Sequence, residues 1–327
     1  MTKDIVLCFD RFFINPILVL LKSIEISNPK EHFVIHIVFS GEGEKESLKK
    51  LLQDVVSKEL FTFHFYEIDE NLLASCPIRK GDYVNIATYY RILLPTILPS
   101  TVERVLYLDG DMLVVDSLSE LWDIDLENYG AAVVPCIHYD NEQEFKRLQL
   151  NVKEGYFNAG FMLINLSYWR THDIQNKTLA FIQDYPNRCK KHDQDALNYI
   201  LSGNLLYLSI RYNFQRIFYE KGFGFSQKLT SDVTTATDKI CIIHYCDLEK
   251  PWHKECFHPL KEVWSYVAKI TPNLSYKIQY KYVGMKKLKF IVKTILINFK
   301  LLQKSSIEYT VDFNKISRTL KENLSSS

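Results

Sequence analysis

With 327 residues, 47% hydrophobic and 24% charged, the chain is too apolar for wholesale disorder and suits one large α/β domain, with or without an appendage. The net charge is +1, but residues 277–304 hold eight lysines and no acid and residues 305–327 sum to zero, which leaves residues 1–276 at −7. An acidic body argues against nucleic acid as a partner, and the basic stretch points to a negatively charged surface met by the tail alone.

The first apolar run is only five residues, Ile5 to Phe9, flanked by Asp4 and Asp10. It is a strand over 4–9 and not a secretory signal. Residues 16–27 follow as a helix, with Ile17, Leu20, Leu21 and Ile24 at spacings of three and four. Then come a strand over 33–39, a polar-faced helix over 44–57 and a strand over 60–67. Strand and helix in alternation predict an open, mostly parallel sheet with helices on both faces, whose ligands bind beyond the carboxyl ends of the strands. The next strand, 105–109, ends in Asp109-Gly110-Asp111, followed by Leu113 to Val115 and a short helix around Leu118 to Trp122. Residues 156–166 are a turn plus a strand, and Asp193-Gln194-Asp195 opens and caps a helix running through Leu197 and Ile200. A buried strand over 239–245 carries His244 at its end. The Gly-rich piece Gly222-Phe223-Gly224 follows no convincing strand, so no phosphate loop is expected. No run of 18 uncharged apolar residues occurs, and the seven cysteines match neither a disulfide framework nor a zinc ribbon. These features together lead to the expectation of a cytoplasmic protein with reduced thiols.

Two places carry chemistry. Asp109 and Asp111, at i and i+2 on an extended segment, point the same way at the open end of a buried strand, and Gly110 lets a ligand approach. Paired hard oxygens suit Mg2+ or Mn2+, which bridge phosphate oxygens. His244 ends another apolar strand, and imidazole favours Mn2+. The stiff Lys250-Pro251-Trp252-His253 loop then offers a lysine to a diphosphate. Taken singly, Asp-Gly-Asp is equally an acidic turn, His244 a core histidine and the loop a surface turn.

The set VLYLDGD, YFNAGFMLINL, DQD and HYxxxxKPWH, in this order, resembles glycosyltransferase family 8, whose bacterial members include lipopolysaccharide and lipooligosaccharide α-galactosyl- and α-glucosyltransferases. The resemblance covers about residues 3–265. It implies an α/β GT-A fold with a single Rossmann-like mixed sheet flanked by helices, a UDP-sugar donor, Mn2+ with Mg2+ as the alternative, and retention of anomeric configuration. Residue by residue it implies Asp109, Asp111 and His244 as metal ligands, beside Gly110, and Lys250 as the diphosphate-binding lysine. Cys8, Phe9, Asp10 and Phe13 fall in the nucleoside segment, and Arg91 matches the arginine that contacts donor sugar and phosphate. Asn158, Asp193 and Gln194 match the sugar-contacting set. With no evident carboxylate nucleophile, same-face attack is expected, with Gln194 and Asp193 as the catalytic residues that hold the sugar and support positive charge. Three departures stand out. Asp247 replaces a usual glycine near the diphosphate, and Arg11 and Phe12 replace small or polar residues beside the uridine pocket.

These readings divide the chain into a GT-A domain, 1–265, and a helical C-terminal extension, 266–327. On a helix, Lys286, Lys289, Lys293, Lys300 and Lys304 form a narrow basic stripe facing a broad apolar side with Leu288, Val292, Ile295 and Phe299. That pattern fits a helix lying in an anionic membrane interface, and it predicts peripheral attachment to the inner face of the cell membrane with a glycan or glycolipid acceptor. Two other classes use the same residue types. A metal-dependent phosphohydrolase or nucleotidyltransferase would release phosphate without a sugar acceptor. A binding protein with a decayed site would bind a sugar nucleotide without turnover, and Asp247 is its best support.

Overall fold

A computed structural model describes residues 2–40, 45–79, 85–150, 155–220, 225–274 and 276–302, together with Ile316, Arg318, Leu320 and Glu322. The Gly222–Gly224 piece, Lys304 and most of the stretch after it lie outside the described residues.

The first half alternates β1 (Asp4–Phe9), α1 (Ile14–Ser27), β2 (Phe33–Phe39), α2 (Lys45–Val55) and β3 (Phe61–Glu67). A 3-10 helix over Ile86–Leu93 runs into α3 (Leu94–Ile97), then come β4 (Arg104–Leu108), β5 (Met112–Val114) and β6 (Ala131–Pro135). Next are α4 (Glu142–Leu148), β7 (Phe157–Asn165), α5 (Leu166–Thr171), α6 (Ile174–Asp184) and α7 (Asp193–Ile200). The rest holds β8 (Leu205–Tyr207), β9 (Phe214–Gln215), α8 (Gln227–Ala236), β10 (Ile242–His244), α9 (Lys261–Ile270) and α10 (Gly284–Asn298).

One seven-stranded sheet has the order β3-β2-β1-β4-β7-β6-β8, and a small one has β5-β10-β9. The large sheet is mixed. β1 to β4 are parallel, β7 runs against both neighbours, and β8 is parallel to β6. The sequence reads as a continuous apolar run at β1 because both faces are covered. Ile5, Leu7 and Phe9 join one core with α1, α2 and α9, while Val6 and Cys8 join the other with the 86–93 helix and α5 to α7. Each fully buried Leu or Ile of α1 contributes about 1.5–3 kcal/mol. α1 also docks polar groups onto β5: Ser23 Oγ accepts from Val114 N at 3.0 Å, and Ser27 Oγ donates to Val114 O at 3.1 Å. That contact fixes the strand which follows Asp111.

The strand order reverses between β1 and β4, and the crevice beyond their carboxyl ends is where an open α/β sheet binds ligands. Asp10 leaves β1 there and Asp109 leaves β4. α9 runs across residue 265, and its Val263, Trp264 and Val267 belong to the main core. Leu320, from the far end of the chain, is also fully buried in that core.

Candidate active site

Three segments bring the acidic pair and His244 together. Asp109 N donates to Gly160 O at 2.8 Å, so the residue still sits on the sheet edge, and Met112 N closes a tight turn onto Asp109 O at 3.2 Å. β5 then pairs with β10, with Met112 opposite His244. One ligand atom from each of Asp109, Asp111 and His244 lies within 4.8 Å of the others. His244 Nε2 is 3.2 Å from Asp111 Oδ1 and 3.9 Å from Asp109 Oδ2. Lys250 Nζ stands 2.6 Å from Asp111 Oδ2 and 2.9 Å from Tyr245 O. Burial pushes the Asp111 carboxyl up, but the Lys250 ammonium and His244 outweigh it and hold it well below the carboxylate range.

A hydrogen-bond chain leads from His244 across the cavity to Gln194. Asn213, fully buried, donates from Nδ2 to Asn158 Oδ1 at 2.9 Å, so its Oδ1 faces His244 Nδ1 at 2.8 Å. The proton is then on Nδ1, and Nε2 keeps its lone pair toward the two carboxylates. Asn158 Nδ2 donates to Gln194 Oε1 at 3.1 Å, and Gln194 Nε2 to the Tyr156 hydroxyl at 3.1 Å. Tyr156 in turn donates to Asp195, which is paired with Arg147 at 2.8 Å.

Arg91 is buried. It stacks 4.4 Å over the Tyr107 ring and bridges Asp193 at 2.8 Å and Asp109 at 3.2 Å. Burial raises the Asp193 carboxyl, Arg91 opposes and Asp109 adds to the rise, and its pKa is pushed up to about 6. Asp-Gln-Asp does not cap its helix. The residue at the cap is His192, and it makes no side-chain capping bond, while Asp193 and Asp195 lie in the first turn. Asp195 reaches back to accept from Lys191 N at 2.6 Å. His192 has φ of +56°, a conformation that costs about 1–3 kcal/mol and clusters at functional sites. Its ring is 3.1 Å from the Tyr89 hydroxyl.

Every residue given a site role by the resemblance lines one cavity of about 480 Å³, from Cys8, Phe9, Asp10 and Phe13 to Asn158 and Gln194. Asp10 accepts from Phe12 N at 2.9 Å and from Asn85 Nδ2. Arg11 and Phe12 do not line it, and Phe12 is 74% exposed. Sequence reasoning missed Asn213, Tyr107, Tyr156 and the lining residues Asn85 and Gln215. Tyr107, two residues before Asp109 on a strand, was within reach of the alternation rule and donates to Asp109 Oδ1 at 2.7 Å.

A family model described as "Glycosyl transferase family 8" matches residues 4–256. The chain belongs to glycosyltransferase family 8. It is 31% identical over 281 residues to General stress protein A of Bacillus subtilis, covering 83% of this chain and 96% of that one. It is 28% identical over 287 residues to lipopolysaccharide 1,3-galactosyltransferase of Salmonella typhimurium, covering 83% and 82%. The galactosyltransferase LgtC, solved with donor and acceptor sugar analogues, superposes with a TM-score of 0.75 at 27% identity, covering 88% of this chain and 99% of that one. The fold is thus GT-A-like, with its mixed sheet flanked by helices.

The residues fit the metal that such a fold uses. Two carboxylates and one imidazole form a hard, borderline donor set. The cradle exists because position 160 has no side chain: a Cβ there would lie 2.5 Å from His244 Cε1, 2.7 Å from Asp109 Oδ2 and 2.9 Å from Asn158 Oδ1. The replaced glycine at 247 is also accounted for. Asp247 pairs with the Arg216 guanidinium, which also holds Glu220, and Asp247 does not line the cavity.

Proposed function

We propose that this family 8 enzyme is a retaining transferase that moves a hexose, galactose or glucose, from a UDP-sugar to a lipopolysaccharide-type or other cell-surface glycan acceptor. The observation that carries the reading is the convergence of Asp109, Asp111, His244 and Lys250 in the same cavity as Arg91, Asp193 and Gln194. The galactosyl- and glucosyltransferase names of its relatives support it. Asp109, Asp111 and His244 would hold Mn2+, or Mg2+, which supplies Lewis-acid stabilisation of charge on the diphosphate when bound. Lys250 adds a positive charge for the leaving UDP. Cys8, Phe9, Asp10 and Phe13 would hold the nucleoside. Gln194 Oε1 is fixed by Asn158 Nδ2 and Ala159 N, both at 3.1 Å, and an amide is a poor nucleophile. The Asp193 carboxylate is committed to Arg91. Both residues therefore orient the sugar, and the acceptor hydroxyl attacks on the face UDP leaves, giving its proton to the departing phosphate oxygen. The decayed-site reading rested on Asp247, whose pairing with Arg216 removes that support.

The test is UDP release from UDP-galactose and UDP-glucose with Mn2+ and with EDTA. Metal-dependent release from one donor is expected. Release from neither, with UDP still bound, overturns the transferase reading, and a hexose adduct on Asp193 in the mass spectrum overturns same-face attack.

The C-terminal extension supports a membrane-facing role. No helix among the described residues is long and apolar enough to cross a membrane. α10 touches the body through Phe290, whose ring meets Phe257 at 6.2 Å, and packs on the segment that leads into it through Lys287, 4.4 Å over Tyr280. Its Leu288, Val292, Ile295 and Phe299 remain 46–73% exposed. Lys286, Lys289 and Lys293 are exposed beside them, within an arc of about 60°. An apolar stripe next to a lysine stripe fits the inner face of the cell membrane, with its anionic lipid. Each lysine near such a surface contributes about 1 kcal/mol. Changing Lys286, Lys289 and Lys293 to Gln is expected to weaken binding to anionic phospholipid vesicles on the order of 100-fold and to leave UDP release in their absence unchanged. Undiminished vesicle binding would overturn the assignment.

A further inference from the structure

The segment before α10 is bound to the loop that presents Lys250, on both sides of that lysine. Downstream of it, Gln279 N donates to Trp252 O at 3.2 Å and Lys254 N to Gln279 O at 2.8 Å. Glu255, fully buried, accepts from Lys281 N at 2.9 Å with one carboxylate oxygen and from Tyr282 N at 3.2 Å with the other. Upstream, Lys281 Nζ donates to Leu248 O and the Tyr282 hydroxyl to Glu249. Inside the loop, Lys250 N donates to His253 Nδ1 at 3.0 Å, and His253 N donates to Lys250 O at 2.8 Å. Rings complete the arrangement. Trp252 lies between Phe13, at 5.8 Å, and Trp264, at 5.3 Å, and Trp264 meets Tyr276 at 4.9 Å.

We propose that Glu255 is a positioning residue for the donor diphosphate site. It fastens the root of the C-terminal extension, Gln279 to Tyr282, onto the Lys250 loop and thereby holds Lys250 against Asp111. The inference rests on the reading of Lys250 as the cation that faces the diphosphate. Both oxygens of a buried carboxylate are spent on two successive backbone N–H groups, so the bond is charge-assisted and fixes main chain to main chain. Burial raises the Glu255 carboxyl, and those two donors bring it below its ordinary value. Loss of the carboxylate leaves two partly buried N–H groups without their acceptor and removes the two charge-assisted backbone ties of the segment to the loop. The root of the extension thus belongs to the donor site, whereas α10 beyond it does not.

The experiment is a double-mutant cycle read by titration of UDP with Mn2+ present. Glu255→Ala is expected to weaken UDP about tenfold, as removal of a supporting group typically does. Lys250→Ala is expected to weaken it by more. In the Lys250→Ala background, Glu255→Ala should cost nothing further, because its effect runs through the lysine. If the two effects multiply in full, Glu255 acts on general structure and the inference fails, while the reading of Lys250 stands. If Lys250→Ala binds UDP like the parent, the reading of Lys250 fails and takes the inference with it. Glu255→Gln keeps one carbonyl acceptor and should fall between parent and Glu255→Ala. It carries the cycle if the alanine variant does not fold.

Discussion

Asp111→Asn is expected to lower kcat/KM for metal-dependent UDP release on the order of 10³-fold, about 4 kcal/mol. The reason lies in how many groups share this one carboxylate. Its Oδ1 is 3.2 Å from His244 Nε2 and its Oδ2 is 2.6 Å from Lys250 Nζ. An amide of the same shape keeps the packing and the turn. It removes the charge that would hold a divalent cation, and it leaves the Lys250 ammonium beside a neutral group. Mn2+ binding, followed by paramagnetic resonance, should fall with the rate, while the thermal transition shows the fold intact. Retention of Mn2+-dependent release within tenfold of the parent would remove Asp111 from the ligand set.

Gly160→Ala should do comparable damage from a residue with no functional group at all. The added methyl points at three atoms that cannot step aside. His244 is held by Asn213, Asp109 by Tyr107 and Arg91, and Asn158 by Asn213 and Gln194. The backbone is tied as well, since β7 pairs with β4 from Phe161 onward and Gly160 O accepts from Asp109 N. Overpacking of this kind costs about 1–3 kcal/mol of stability. The larger effect is on the cradle, where Mn2+ affinity and kcat/KM are both expected to drop about 100-fold. An alanine variant with parental Mn2+ affinity would mean that the carboxylates and His244 close around the metal in some other way.

What the sequence disclosed follows from local physics. β1, β2 and β4 are apolar runs with both faces buried, so they are visible without any knowledge of their neighbours. Asp-Gly-Asp, His244 and Lys-Pro-Trp-His are short motifs at strand ends. Strand direction is a different kind of fact. FNAGFMLIN has the same apolar pattern read up or down, so the expected mixed, mostly parallel sheet is found, but which strand runs in reverse was not legible: it is β7, inserted between β4 and β6. Asn213 was invisible because nothing near it in the chain marks it. Its importance is that β9 lies beside β10, which sets it against His244. The root of the extension was hidden for a similar reason. Gln279, Lys281 and Tyr282 act through backbone N–H and C=O groups, or through hydroxyl and ammonium contacts that composition does not announce.

The Arg216–Asp247 pair makes the two positions unequal in their tolerance of change. Glu220, four residues after Arg216, also holds that guanidinium. Replacing Asp247 by glycine would therefore leave the Arg216 guanidinium with a counter-charge, whereas replacing Arg216 would take a cation from both Asp247 and Glu220 at once. The two single changes are unequal: position 247 is the tolerant one and position 216 the demanding one, an asymmetry set by a glutamate that neither motif contains.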